Sequence, residues 1–309
     1  MTDQYLRKVN LVVASGGSGL DLSQQRISWR TVQSDVQTPN HAIIRIYNLA
    51  QQTAASIQKE FERVVLQAGY EAGNFGVIFD GTIKQVRRGR VSGTDTYLDI
   101  LAADGDRAYN FGVVNNTIKS GRTLNDQLDS AVAGLGIPKG YVPDLPPGAL
   151  SRGKVQYGNA RDEMSIIANS STASWSIQNG EVQIVKDTGY VPGEAVVINA
   201  TSGMIGLPEQ TEGGIYVRVL LNPNIKIGTL VQIDNSSIQR AFLGGVLLNA
   251  PGRLENLPGF LPKVTDDGFY KVYVNETVGD TRDTPFYSSL TCLAVDRSTS
   301  PGTSVQAAG

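Results

Sequence analysis

The chain has 309 residues, 40% hydrophobic and 18% charged, with 27 basic and 29 acidic side chains and a net charge of −2. That length allows about two domains, and the near-neutral balance excludes a polybasic mode of binding nucleic acid or an acidic membrane. The single histidine, His41, and the single cysteine, Cys292, exclude an intramolecular disulfide and argue against a zinc site, which needs about four clustered ligands. Both lie in alternating apolar runs, HAIIRIYNL and SLTCLAV, and are expected to be packed strand residues.

In chain order, the N-terminus has only Leu11 to Ala14 as an unbroken apolar run, too short for a signal peptide or a membrane span. The expectation is a soluble chain made in a cytoplasm, without membrane contact. Thirty-four glycines and 13 prolines favour short strands and turns over long helices. Arg26 to Trp29 and His41 to Tyr47 read as strands, and Ala50 to about Glu60 as a short helix rich in good helix formers. Val77 to Val86 and Thr94 to Ala102 read as a hairpin, with Arg87, Arg88 and Arg90 at its tip. Thr123 and Asp126 have capping-box spacing ahead of Leu124, Leu128, Val132 and Leu135, which recur at helical period until Gly136 and Pro138. A second helix is expected from about Ala160 to Asn169. In WSIQNGEVQIV, Asn179-Gly180 predicts a type I′ turn that pairs Trp175 with Ile184 and Ile177 with Val182 on one face. Beyond about 191 the pattern returns to strands: Ile215 to Leu221 and Ile225 to Ile233 read as a hairpin around Asn222-Pro223-Asn224, followed by strands at Tyr270–Val274 and Leu290–Val295.

Chemistry-bearing motifs are sparse. Gly148 to Lys154 fits the first seven positions of a phosphate loop, but Val155 stands where Mg²⁺ needs a hydroxyl, and no strand precedes it. There is no G-x-S-x-G elbow. The carboxylate pairs Asp104/Asp106, Asp266/Asp267 and Asp280/Asp283 lie in glycine-containing or adjacent turns, where aspartate serves local hydrogen bonds. No enzyme activity, cofactor or metal is expected.

Three longer segments run in a specific order: PNHAIIRIYNLAQQT leading into VVLQAGYEAGNFGVIFDGTIKQVRRGR and ILAADGD, then TSGMIGLPEQTEGGIYVRVLLNPNIKIGTLVQID, then DGFYKVYVNETVGDTRDTPFY. Together they resemble the baseplate hub proteins of contractile-tailed bacteriophages, the family that includes late control protein D. The resemblance spans residues from about 40 to 295. It implies a mainly β fold with a small α+β insertion. Two β-barrel-like tube domains, residues 1–110 and 191–298, would flank an α+β middle domain at 111–190, with a disordered tail at 299–309. It further implies a structural protein of the virion tail baseplate, made in the host cytoplasm. Such hubs form a homotrimeric, pseudo-sixfold ring that joins the hexameric tail tube to the trimeric central spike, among other baseplate proteins.

The two tube domains are expected to share a fold, with the 77–102 and 215–233 hairpins in equivalent places, and to close the ring by adding edge strands. The candidate partner-binding residues are Asn222, Pro223 and Asn224 in one polar loop and Gly279, Asp280, Thr281 and Arg282 in another. Two alternatives stand beside this reading: another tail component such as a tube-initiator protein, and a β-rich carbohydrate-binding module or glycosidase.

Overall fold

The structure, a computed structural model, describes residues 4–15, 17–211, 213–234, 237–238 and 268–295. The Asp266–Asp267 pair and the 299–309 tail lie outside the described residues.

Alternating apolar residues shape the first region. Its elements are β1 (Arg7–Ser15), β2 (Ser18–Asp21), β3 (Ile27–Ser34), β4 (His41–Tyr47), α1 (Gln51–Glu60), β5 (Arg63–Tyr70), β6 (Phe75–Arg90) and β7 (Thr96–Ala103). Every second residue turns inward: Leu11 and Val13, Ile27 and Trp29, Ala42, Ile44 and Ile46, Val64 and Leu66, and Leu98 and Ile100 are all buried. Ala54 and Ile57 fix the inner face of α1. Each fully buried aliphatic side chain of this kind stabilises the fold by about 1.5–3 kcal/mol.

The middle region contains α2 (Asp106–Phe111), β8 (Val113–Ile118), α3 (Leu124–Leu135), β9 (Lys154–Asn159), α4 (Ala160–Ser170), β10 (Ala173–Gln178) and β11 (Glu181–Lys186). The expected capping box starts α3, with the Asp126 amide donating to Thr123 Oγ1 and the Thr123 amide to Asp126 Oδ2. Gly136 ends the helix in the left-handed region at φ 68°, as a C-terminal glycine does. Asn179 and Gly180 both take positive φ, 53° and 81°, and the pairs Trp175–Ile184 and Ile177–Val182 form as expected. The β8–β9 ribbon and the short α2 were not anticipated.

The last region contributes β12 (Val196–Ile198), β13 (Met204–Thr211), β14 (Gly214–Leu220), β15 (Leu230–Ile233), β16 (Phe269–Asp280) and β17 (Phe286–Ala294). One 13-stranded sheet runs through the first and last regions in the order β13-β14-β17-β16-β3-β4-β7-β6-β5-β1-β2, with β15 also on β16 and β12 on β15. The join is β3 against β16, where Thr31 faces Thr277 and Trp29 faces Gly279. Gly279 has to lack a side chain, because a Cβ there would sit 2.2 Å from the Trp29 ring. Phe286 completes the join, edge-on to Trp29 at 5.6 Å and to Tyr70 at 5.5 Å.

Three buried clusters follow the chain in order: Leu11 to Ala102 joined by Leu221 and Phe286, then Ala108 to Ile184, then Ile198 to Cys292. The fold is mainly β with helices concentrated in the middle.

Three expectations are corrected. Residues 215–233 do not form a hairpin: β14 pairs with β13 and β17, whereas β15 pairs with β12 and β16. The apolar alternation was real, but Ile225 and Ile227 are buried from turn segments rather than from a returning strand. The hairpin of β6 and β7 turns at 91–95, so Arg87, Arg88 and Arg90 lie within the ladder, opposite Asp99, Leu98 and Thr96. His41 sits on a strand but is exposed, since the inward positions of β4 are Ala42, Ile44 and Ile46.

Candidate interaction surface

The outer face of the β10–β11 hairpin is polar, and it docks the middle region onto both β regions. Asn40 Nδ2 donates to Ile177 O at 3.0 Å and to Gln178 Oε1 at 2.8 Å, and Gln178 Nε2 donates to Ser34 O at 2.8 Å. Ser174 Oγ donates to Asp35 Oδ2 at 2.7 Å, and Gly180 N to Asp104 Oδ1 at 2.9 Å. Toward the last region, Gln183 Nε2 donates to Ile227 O at 3.1 Å and Lys271 Nζ to Lys186 O at 3.1 Å. Lys271 also lies 3.8 Å from Asp35, both side chains being almost fully buried. Burial raises the Asp35 carboxyl and lowers the Lys271 ammonium, each against the attraction of the other. Sequence reading missed this seam, because Asp35, Asn40, Asp104 and Lys271 come from separate loops and strands.

Asp104 is the most perturbed carboxylate of the seam. Burial pushes it up to about 7, against the backbone donors Gly180 and Asn179, and its Oδ2 has no partner. A carboxylate raised in the folded state contributes stability that is full below its unfolded value near 4 and is lost as pH rises through about 7. Asp104→Asn keeps an acceptor for Gly180 and cannot ionise. Its stability relative to the native chain is therefore expected to rise between pH 5 and 8 by roughly 2 kcal/mol. Thermal unfolding across that range tests this, and parallel pH profiles would contradict it.

The predicted loop residues take unequal places. Pro223 is buried against Gly76, and Asn222 Oδ1 accepts from Asn74 Nδ2 at 3.2 Å and from Asn224 N at 3.0 Å. Gly279 and Asp280 end β16, with Asp280 buried, salt-bridged to Arg26 at 3.0 Å and accepting from the Arg282 and Asp283 amides. Thr281 exchanges hydrogen bonds with Ile27. Asn224 and Arg282 are exposed. The structure does not place the two loops in one cleft: Asn222 and Pro223 line a cavity of about 270 Å³ with Gln33 and Asn275, while Arg282 lines another of about 540 Å³ with Arg26 and Tyr47.

The other candidates have structural partners. Asp106 pairs with Lys84, and Asp283 accepts from Thr284 N, which holds its carboxyl below the usual range. Lys154 of the loop-like run GALSRGK starts β9 and pairs with Glu163 at 2.9 Å. Cys292 is fully buried, its thiol pushed up to about 12. Among the described residues there is no group of three or more His, Cys, Asp or Glu that could hold a metal, and no helix is long and apolar enough to cross a membrane.

An apolar group stands in solvent on the ribbon β8–β9 and just before it: Phe111, Val113, Val155 and Tyr157 are 74%, 65%, 66% and 79% exposed. Exposed groups of this kind mark surfaces that partners cover.

A family model described as baseplate hub gp41 matches residues 160–242. No curated protein matches the chain in sequence. Among solved structures, the chain is similar to the 43 kDa tail protein of prophage MuSo2 from Shewanella oneidensis, at 8% identity and TM-score 0.56 over 93% of this chain and 98% of that one. It is also similar to the tail protein from Neisseria meningitidis MC58, at 10% identity and TM-score 0.53 over 93% and 96%. A chain of the Francisella PdpA-VgrG complex matches at 6% identity and TM-score 0.52, over 97% of this chain and 59% of that one. At these identities the likeness is one of fold, shared with these two tail proteins and the VgrG-complex chain. The hub-family match covers α4, the β10–β11 hairpin and β12 to β15, and ends before β16 and β17.

Proposed function

We propose that the chain is a structural baseplate hub: a homotrimer whose subunits each present two β regions, forming a pseudo-sixfold ring between a hexameric tail tube and a trimeric central spike. The division into 1–110, 111–190 and 191–298 belongs to this proposal and draws support from the three successive cores. The observation that carries the reading is the near end-to-end fold match to a phage tail protein, with a hub-family match inside it. On this reading the chain is structural rather than catalytic and resides in the virion tail. The apolar group on the β8–β9 ribbon is covered on assembly, and the exposed Asn224 and Arg282 are the loop positions that meet partners. A sugar-binding module finds little support, since Trp29 and Trp175 are 3% and 0% exposed and offer no stacking face.

Native mass spectrometry tests the assembly. The expected species is a trimer of about 99 kDa, three times the 33.1 kDa chain. A hexamer would favour a tube-type protein, and a strict monomer at high concentration would contradict the trimer.

A further inference from the structure

The arginines of β6, like Arg7, Arg107, Arg152, Arg218 and Arg282, have no carboxylate within 4.0 Å among the described residues. Arg26, Arg30, Arg45, Arg63, Arg122 and Arg161 each have a carboxylate within 4.0 Å. Arg87 donates only to the Gln85 amide oxygen, Arg90 only to the Gly93 carbonyl at 3.3 Å, and the Arg88 guanidinium has no partner among the described residues. Arg88 and Arg90 alternate onto one face of the strand and line a cleft of about 430 Å³ between the end of the β6–β7 hairpin and the start of α1. The glycine between them lets this happen: the Tyr97 ring lies where a Gly89 Cβ would be, only 2.4 Å from the nearest ring-substituent atom. Leu49, Ala54 and Leu98 supply the apolar part of the lining, and no acidic residue is among the described residues that line the cleft. The start of α1 adds to the positive field, since Ala50 gives no side-chain cap and the first turn holds no acid.

We propose that this cleft is a docking site for an acidic segment of a partner protein, with a carboxylate between Arg88 and Arg90 and an adjacent apolar side chain on Leu49, Ala54 and Leu98. A guanidinium without a partner, Arg88, and one held only by a backbone carbonyl, Arg90, match carboxylates geometrically and bind them with charge-assisted hydrogen bonds. The apolar lining and the concave shape favour a single peptide segment over a nucleic-acid backbone, which would need a longer basic track than a chain of net charge −2 provides here. The site shares no lining residue with the seam or with the 222–224 and 279–282 loops.

The test is titration of the full chain with a labelled peptide of repeated Gly-Leu-Glu triplets. A peptide with Gln for Glu, inorganic phosphate and single-stranded oligodeoxythymidine serve as comparison probes. The acidic peptide is expected to bind, to weaken as salt rises, and to lose about tenfold in affinity in Arg88→Gln/Arg90→Gln, equivalent to about 1.4 kcal/mol. The exposed Arg152→Gln should bind as the native chain does, and unfolding curves confirm that both variants are folded. Equal affinity of the double variant, equal binding of the Gln peptide, tighter binding of phosphate or the oligonucleotide, or no acidic-peptide binding at millimolar concentration would each overturn the proposal.

Discussion

Replacing Trp175 with alanine is expected to destabilise the chain by about 3–5 kcal/mol, as deletion of a large buried aromatic side chain does. Trp175 is completely buried in the middle core, stacks on Tyr109 at 6.2 Å between ring centroids, and donates through Nε1 to Ser165 Oγ at 3.1 Å. The substitution leaves a cavity between α4 and the β10–β11 hairpin and removes the indole donor. Because that hairpin also carries the docking seam, the loss should spread to the contacts with Asp35, Asn40 and Asp104. Denaturant unfolding of the variant measures the effect, and a cost below about 1 kcal/mol would show that the core collapses around the gap or that the indole packs differently.

The second large effect concerns the buried pair Asp35 and Lys271. Desolvation of both groups outweighs their attraction across 3.8 Å, so the pair itself adds little stability. Removing one member is different. Lys271→Met leaves a buried carboxylate supported only by Ser174 and Ser176, at a cost of about 3–5 kcal/mol. Combining it with Asp35→Asn should recover most of that loss, since no net charge then stays inside. A double-mutant cycle by denaturant unfolding measures the coupling, and additive costs would show the groups to be independent.

Much of the fold was legible where a local signal carries its own geometry. The Thr123–Asp126 capping box, the Asn179-Gly180 turn and the apolar stripe of α4 each specify a conformation from a few neighbouring residues, and each formed where expected. What failed was pairing across long separations. The alternation in Ile215–Leu221 and Ile225–Ile233 tells which side is buried and not which strand lies alongside, and β14 and β15 pair with β17 and β16 rather than with each other. The polar loops misled for a related reason. Asp280 and Asn222 look like solvent-facing turn residues, yet each is engaged by a residue far away in sequence, Arg26 and Asn74. Likewise, Arg88 and Arg90 read in the sequence as a basic run, but the cleft they line needs α1 beside them.

The central claim, a threefold hub built from two β regions per subunit, is tested most directly by cryo-electron microscopy of the purified protein or of a virion tail tip that contains it. The account predicts a ring with threefold symmetry, in which residues 1–110 and 191–298 of each subunit occupy successive positions about 60° apart around one lumen. A sixfold ring with one chain per position, or isolated subunits whose two β regions share no common arrangement, would contradict it.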